Sequence, residues 1–252
     1  MKKNIAIIGI LFSLYLSSVS AQEQLDATVD WAQRVDLTIP VDGIVKEVTV
    51  NTGQLVKKGQ VLVKLDSRIF RANLRQAKAK VNSLKATYEE VKRELDRAQE
   101  LYDRTVLSDH DLQVAKNNEI VAKSNLEVAK AAYVKAQVDF EYSSLVAPFD
   151  SIILKRNVEV GKAIINRDSY QTLITLASSQ NYLAKTTLTS VQSGLVHIGQ
   201  EVKVVTTDKT YRAKVVAIEY GLDKLAGEST LSVMFESQNK KLHAGSKVKV
   251  IY

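Results

Sequence analysis

The chain has 252 residues, a formal net charge of +7 and no cysteine. The absence of cysteine excludes disulfides, thiolate metal sites, thiol nucleophiles and lipid-modified thiols, and a chain of this length can bury a core without them. Lys and Arg are interleaved with Asp and Glu, which is typical of solvated helix faces. No basic patch carries interleaved aromatic residues, so we expect no nucleic-acid partner.

Residues 1–21 have the three parts of a secretory signal peptide. Met1, Lys2 and Lys3 precede an apolar run, and small residues follow up to Ala21. We predict cleavage after Ala21, which removes two lysines and leaves a net charge of +5. The apolar run is short for a membrane span, and an uncleaved inner-membrane anchor is the alternative.

Residues 27–66 are predicted to form short strands that cannot bury their apolar face alone. Apolar residues alternate with polar ones, and turn signals interrupt them at Pro40, Gly43, Gly53 and Gly59. The first strand of this segment is expected to extend toward a barrel at the other end of the chain. A single sheet of so few strands needs a second layer to be stable.

Residues 67–142 are predicted to form two long antiparallel helices. No Pro or Gly occurs between Gly59 and Pro148, so nothing interrupts either helix. Apolar residues recur at alternating spacings of four and three, as in the seam of a coiled coil. The members in the first helix are Phe70, Leu74, Ala77, Val81, Leu84, Tyr88, Val91, Leu95, Ala98 and Tyr102.

The same rhythm resumes after a short break at residues 103–107. Its members are Leu112, Ala115, Glu119, Ala122, Leu126, Ala129, Tyr133, Ala136 and Phe140. Glu119 is the one charged residue in this second seam. Ser108 is predicted to be the N-cap of the second helix, with Asp111 as its capping-box partner.

Residues 143–180 repeat the segment that precedes the hairpin. Pro148 lies 108 residues after Pro40, and Gly161 lies 108 residues after Gly53. We predict that the two copies pair into one small β-sandwich, with the helical hairpin inserted between them. The fold class is therefore α+β, elongated and multidomain.

Residues 181–252 change to short strands with closely spaced turn signals, which predicts a small β-barrel. The predicted strands are 182–188, 200–206, 211–220, 230–236 and 246–252, with a helical turn near Val191–Leu195.

The segments VDGIVKEVTVNTGQLVKKGQVLVKLD and APFDSIILKRNVEVGKAI resemble the two halves of a biotinyl/lipoyl-like domain. The order of half-domain, hairpin, half-domain and barrel resembles the periplasmic adaptor (membrane fusion protein, HlyD/AcrA-like) family of tripartite efflux pumps. The resemblance covers about residues 27–252 and implies a periplasmic protein without a lipid anchor. Fuller members continue into a membrane-proximal domain, which we expect to be absent here.

The resemblance implies two membrane partners and self-association. These are an inner-membrane transporter, of RND type by preference and of ABC type (as with MacA or HlyD) as the alternative, and a TolC-like outer-membrane channel. A ring of three or six copies would complete the conduit. A purely structural coiled-coil scaffold is a further alternative that the split repeat disfavours.

The sequence RAQELYDRTVLS at the end of the first helix resembles the tip motif through which such adaptors engage the channel. Arg97, Leu101 and Ser108 match its spacing, and Thr105 and Val106 lie between them. An exposed Leu beside an Arg offers apolar burial together with a charge-assisted hydrogen bond. The alternatives are a solvated Arg97, a Leu101 that packs in the seam, and a Ser108 that only caps its helix.

Val114, Val121 and Val128 recur every seven residues beside the second seam. Val is a weak helix former, so this repeat suggests burial by a neighbouring hairpin, with chance composition as the alternative.

No catalytic or metal-binding constellation accompanies the three histidines, His110, His197 and His243. We expect no enzymatic activity, cofactor or metal. A lipoyl-like fold also raises the alternative of a carrier domain with a modified lysine, and Lys57 and Lys58 precede Gly59. No methionine flanks them, and a carrier has no use for a long hairpin.

Overall fold

The computed structural model describes residues 23–166, 171–220, 228–237 and 242–252. The predicted signal peptide lies outside the described residues. The described strands, in chain order, are β1 (Gln24–Trp31), β2 (Arg34–Leu37), β3 (Gly43–Val48), β4 (Leu55–Val56), β5 (Val61–Leu65), β6 (Ser144–Val146), β7 (Ser151–Arg156), β8 (Ala163–Ile164), β9 (Ile174–Ser178), β10 (Asn181–Leu188), β11 (Glu201–Val205), β12 (Thr210–Tyr220), β13 (Ser229–Glu236) and β14 (Lys247–Ile251). The helices are α1 (Arg68–Asp103), α2 (Asp109–Tyr142) and α3 (Ser190–Ser193).

The described chain forms two compact units. One contains the residues up to Asp30 together with Leu183–Glu236 and Leu242–Tyr252. The other contains Trp31–Tyr182 and Ser237.

The first unit is a closed barrel with the strand order β1-β10-β13-β12-β11-β14. Alternation of polar and apolar residues puts one face of each strand inside. In β11, for example, Val202 and Val204 are buried whereas Lys203 is exposed. The sixth strand comes from the N-terminal end, where β1 pairs antiparallel with β14. The predicted barrel is thereby confirmed.

The second unit contains a sandwich of two four-stranded sheets, β2-β9-β7-β4 and β6-β5-β3-β8. Each sheet takes two strands from before the hairpin and two from after it. The shared core includes Leu62 and Leu65 from the first copy and Ile153 and Leu176 from the second. Neither copy has a complete sheet without the other, which confirms the prediction of a split β-sandwich.

The 108-residue repeat is visible in the hydrogen bonds of this sandwich. The Gly53 N–H donates to the carbonyl of Ile153 at 2.8 Å, and the Gly161 N–H donates to that of Val45 at 2.8 Å. Gly161 is the counterpart of Gly53, and Ile153 is the counterpart of Val45. The glycine of each copy therefore donates to the equivalent residue of the other copy. Gly53 and Gly161 have φ of 82° and 88°, which an L residue adopts only with strain. Gly59, a further predicted turn glycine, also has a positive φ, of 80°, whereas Gly43 is the first residue of β3.

The strand that follows each proline begins differently in the two copies. At Gly43, an added Cβ would lie 2.9 Å from Cδ1 of the buried Leu65, so the Leu65 side chain would have to shift. Its counterpart Ser151 is fully buried, and its hydroxyl donates to the carbonyl of Phe149 at 3.0 Å. The second copy therefore accommodates a small polar side chain by satisfying it locally.

The hairpin starts at the edge of the sandwich, where Asp66 rather than Ser67 caps α1. The Ser67 side chain makes no capping bond. Instead the Asp66 carboxylate accepts from the backbone N–H of Arg68 at 3.1 Å and from its guanidinium at 2.5 Å. The Arg68 side chain lowers the pKa of Asp66 to about 2. This ion pair holds the first turn of α1 against the end of β5.

The helices meet along the predicted seam. Leu112, Ala122, Leu126 and Ala129 of α2 are buried, and the other predicted seam residues of α2 are partly buried. In α1 every predicted seam residue is partly buried except Tyr102, which is 38% exposed at the tip end. The prediction of a coiled-coil hairpin is confirmed.

Candidate functional site

The tip of the hairpin begins where α1 ends in a Schellman motif. The Val106 N–H donates to the carbonyl of Leu101 at 2.9 Å, and the Thr105 N–H donates to that of Tyr102 at 2.8 Å. Thr105 thereby takes a φ of 57°, and it is the one described residue other than glycine with a positive φ. This position usually carries glycine, because a β-branched side chain is strained there.

The second half of the tip is built by Ser108, which is the N-cap of α2 as predicted. Its hydroxyl oxygen accepts from the Asp111 N–H at 3.1 Å, and its O–H donates to the Asp111 carboxylate at 2.6 Å. The carboxylates of Asp109 and Asp111 lie in the first turn, where the helix dipole favours negative charge. The chain therefore reverses between two well-defined helix ends.

The tip presents apolar side chains to solvent. Val106 is 73% exposed and Leu101 is 41% exposed. The exposed fraction of Leu101 is close to that of its neighbour Tyr102, which is 38% exposed at the tip end of the seam. An exposed Leu and Val beside strained backbone form a small surface that a partner protein can bury.

Arg97 lies about one helical turn before Leu101 and belongs to a cluster of charges on α1. Its guanidinium lies 3.6 Å from the Glu90 carboxylate, which also forms an ion pair with Arg93. The hydrogen bond from Arg93, with a smaller contribution from Arg97, lowers the pKa of Glu90. Arg97 is therefore held by a weak exposed contact and remains available to another acceptor.

The structure brings Leu101, Thr105, Val106 and Ser108 together in the turn, with Arg97 on the shaft below. Sequence reasoning missed Glu90 as the partner of Arg97 and Arg93. The spacing of three residues between Glu90 and Arg93 is the signal that indicates the pair.

Glu119, the one charged residue of the seam, is satisfied across the hairpin. The Tyr88 hydroxyl faces its carboxylate across the seam, and this interaction raises the pKa of Tyr88. This polar pair inside an apolar seam shows which turns of the two antiparallel helices lie at the same height.

Val114, Val121 and Val128 all lie on the surface of α2, where they are 43%, 59% and 71% exposed. Val121 and Val128 are mostly exposed within a single copy, whereas Val114 is partly covered and lines a groove with Val91 of α1.

Among the described residues no group of His, Asp and Glu side chains is arranged to hold a metal ion. In the same part of the chain, no helix combines the length and the apolar character that a membrane crossing requires.

A helical hairpin inserted between the halves of a lipoyl-like sandwich, followed by a β-barrel, defines the class of adaptor proteins. The family model for a CzcB-like, barrel-sandwich hybrid domain matches residues 33–178, more than half of the chain. The chain therefore belongs to the periplasmic adaptor, or membrane fusion, family, whose members are adaptors rather than enzymes.

Curated relatives agree with this membership. An uncharacterised protein of Haemophilus influenzae is 34% identical over 208 residues, 78% of this chain and 48% of that protein. The multidrug resistance protein MdtA of Pantoea ananatis is 23% identical over 228 residues, 85% of this chain and 54% of MdtA. The chain spans about half the length of these relatives.

Solved structures share the fold. The membrane fusion protein Spr0693 of Streptococcus pneumoniae R6 aligns with a TM-score of 0.67 at 20% identity, over 91% of this chain and 98% of that one. A MacA–MexA chimeric protein with the Pseudomonas aeruginosa MexA α-hairpin domain aligns with a TM-score of 0.62 at 20% identity, over 91% and 81%.

Proposed function

We propose that the chain is a periplasmic adaptor of a tripartite efflux pump, of RND type by preference. It would link an inner-membrane transporter to a TolC-like outer-membrane channel. Membership of the adaptor family and similarity to a protein named for multidrug resistance support this proposal. The ABC-type pump remains the alternative for the transporter.

The observation that carries the proposal is the hairpin tip. α1 has 36 residues and so extends roughly 54 Å at 1.5 Å per residue. It ends in an exposed Leu101 and Val106 on a turn fixed by the Schellman motif and the Ser108 cap. Such a surface suits an apolar contact with a partner far from the sandwich.

The adaptor works without chemistry of its own. Arg97 supplies a charge-assisted hydrogen bond to a carbonyl or carboxylate of the channel, and Leu101 and Val106 supply apolar burial. Copies of the chain associate side by side into a ring that seals the conduit, and the Val114, Val121 and Val128 stripe belongs to the lateral contact. The signal peptide is removed, and the mature protein lies in the periplasm.

Co-purification with the full-length chain tests this function. The tagged protein is isolated from membranes of cells that also express the candidate transporters and channel, and its partners are identified by mass spectrometry. Recovery of an RND transporter with the channel is the expected result, and recovery of an ABC transporter would select the alternative. Recovery of neither membrane protein would contradict the proposal.

Intact mass of the same sample tests the carrier alternative. We expect no lipoyl or biotinyl adduct at Lys57 or Lys58, and the presence of such an adduct would move the chain to the carrier class.

A further inference from the structure

Besides the seam, which packs against α1, α2 has an exposed face that contains no charged residue. Its residues recur at alternating spacings of four and three, as in a coiled-coil seam. They are Val114, Asn118, Val121, Asn125, Val128 and Ala132, and all of them are exposed. We call these six residues the α2 face.

All charges of this part of α2 lie elsewhere on the helix. Between Leu112 and Ala132 they are Lys116, Glu119, Lys123, Glu127 and Lys130. At 100° per residue, their stripe lies roughly opposite the α2 face. The next residue in the rhythm of the face, Lys135, pairs with Asp139 at 2.9 Å, so the uncharged stretch ends there.

The first helix has an equivalent surface in the half nearest the sandwich. Exposed uncharged residues recur there with the same rhythm. They are Ile69, Ala72, Gln76, Ala79, Ser83 and Ala86, and we call them the α1 face. The stretch ends at Glu90, which pairs with Arg93 on its own helix.

The two faces point in different directions. At 100° per residue the α1 face lies about 160° from the seam of α1, and the α2 face lies about 105° from the seam of α2. The α1 face therefore points away from α2 and cannot contact it within one copy. The α2 face borders α1 at its tip end, where Val114 and Asn118 line a groove with Val91. A partner that covers the rest of either face has to come from outside the hairpin.

The interaction between Tyr88 and Glu119 shows that these two residues lie level along the hairpin axis. It therefore gives the relative axial positions of the two faces. Because the helices are antiparallel, this register puts Ala86 level with Val121 and Ala79 level with Val128. Two hairpins standing side by side at equal height would bring these uncharged stretches opposite each other.

We infer that the α1 face of one copy packs against the α2 face of the next copy. This contact deepens the ring assembly of the proposed function and rests on it. The two faces are different surfaces of one chain, so the contact is heterologous and can repeat into a closed ring. Small residues allow close approach of the helices, and neither face contains a charged residue of its own, so burial of the six residues of either face desolvates no charge within it.

A membrane surface is the wrong occupant for these faces. A helix that lies on a bilayer has large apolar residues on one side and many Lys or Arg residues at the border. The α2 face instead mixes Val with Asn and Ala, which suits a neighbouring helix.

The α1 face continues onto the sandwich at the base of the hairpin. Ile69 is 73% exposed and lines a groove of about 540 Å³ together with Ile44, which is 58% exposed. A neighbouring copy packed along α1 would cover this apolar groove as well. The contact would therefore extend from the hairpin to the sheet that contains β3.

Paired single-cysteine variants test the inference, because the chain has no cysteine of its own. Two differently tagged full-length chains, one with Ala79→Cys and one with Val128→Cys, are co-expressed and oxidised in intact cells. The matched control combines Lys78→Cys with Lys130→Cys, two exposed charged positions at the same height but outside the two faces. The inference predicts a mixed-tag adduct for the first pair and little or none for the control pair.

Equal yields from the two pairs, or no adduct from the first, would overturn the inference. If co-purification recovers the transporter and the channel while the first pair gives no adduct, the adaptor function stands and this interface is wrong. A specific adduct without either membrane partner would support the interface and remove the pump assignment.

A charge substitution provides a second measurement. Val121→Asp should abolish the oligomer in cells, whereas Lys123→Asp, two residues away on the charged stripe, should leave it intact. Both side chains are exposed, so thermal unfolding of the purified single copy should be nearly unchanged by either. Persistence of the oligomer in Val121→Asp would contradict the inference.

Discussion

Thr105 takes the left-handed backbone conformation in which glycine is the least strained residue. The structure tolerates a β-branched side chain there because two backbone hydrogen bonds of the Schellman motif hold the turn. Strain of this kind is often found where a protein binds a partner. The tip thus combines exposed apolar side chains with a fixed backbone.

Replacement of Thr105 by glycine should stabilise the hairpin. The left-handed conformation costs an L residue about 1 to 2 kcal/mol, and glycine avoids this strain while it adds freedom to the unfolded chain. We expect a net gain of about 0.5 to 1 kcal/mol in the free energy of unfolding, measured in urea. Thr87→Gly, inside α1, is the control and should lose about 0.3 kcal/mol, the difference between the helix propensities of Thr and Gly. A loss of stability in Thr105→Gly would contradict the prediction that the Thr105 backbone is strained.

Asp66 should make the stability of the protein depend on acid pH. Its pKa in the folded state is lowered to about 2 from the ordinary 3.8, chiefly by the Arg68 side chain. The contribution of the ion pair is therefore complete above the ordinary pKa and disappears as the pH falls toward 2. Asp66→Asn should lower the melting temperature at pH 7 and have a smaller effect at pH 2. Arg68→Gln should show the same dependence, and an equal effect of either substitution at both pH values would contradict the assignment.

At the scale of elements, α2 has two apolar surfaces with different roles. Leu126 is 4% exposed in the seam, whereas Val128, two residues later, is 71% exposed. The seam holds the hairpin together, whereas most of the Val128 side chain faces solvent within one copy.

Alanine substitutions should separate these roles. Leu126→Ala leaves a cavity in the seam and should cost about 2 to 4 kcal/mol. Val128→Ala loses little burial and replaces a weak helix former by a strong one, so it should gain up to about 0.5 kcal/mol. Chemical unfolding of the purified single copy, followed by circular dichroism, measures both. A large loss in Val128→Ala would mean that the stripe packs within the hairpin.

At the scale of the whole molecule, the two copies of the repeat share one sandwich. Gly53 and Gly161 occupy equivalent turns, and an added Cβ at either would meet nothing within 4 Å. The cost of a side chain at these positions is therefore conformational rather than steric.

Gly53→Ala and Gly161→Ala should destabilise the protein equally. Each substitution forces an L residue into a left-handed turn, at a cost of about 1 to 2 kcal/mol. Gly43→Ala should cost more, because its Cβ would lie 2.9 Å from Leu65 Cδ1. Urea unfolding of the three variants checks the order, and clearly unequal losses at the two turns would contradict their equivalence.

Much of this fold could be predicted because its signals are periodic. The seam rhythm and the 108-residue offset depend on spacing alone. The contact between Tyr88 and Glu119 could not be predicted, because it depends on the register that the turn imposes on antiparallel helices. The left-handed Thr105 was also missed, since the rule for helix ends expects glycine there. The exchange of strands between the two sheets follows from pairing between distant segments, which local patterns do not contain.

The most direct test of the adaptor account is crosslinking at the hairpin tip. Two single-cysteine variants are made in separate chains, Ser108→Cys and Val106→Cys. The second leaves the Ser108 helix cap intact. Ser190→Cys on the exposed α3 of the barrel is the control. Each is crosslinked in intact cells, and the adducts are identified by mass spectrometry.

The account predicts that both tip variants capture an outer-membrane channel and that the barrel variant does not. If neither tip variant captures the channel while the barrel variant captures another partner, the tip contact is wrong. The motif at Arg97, Leu101 and Ser108 would then serve only to end one helix and begin the next.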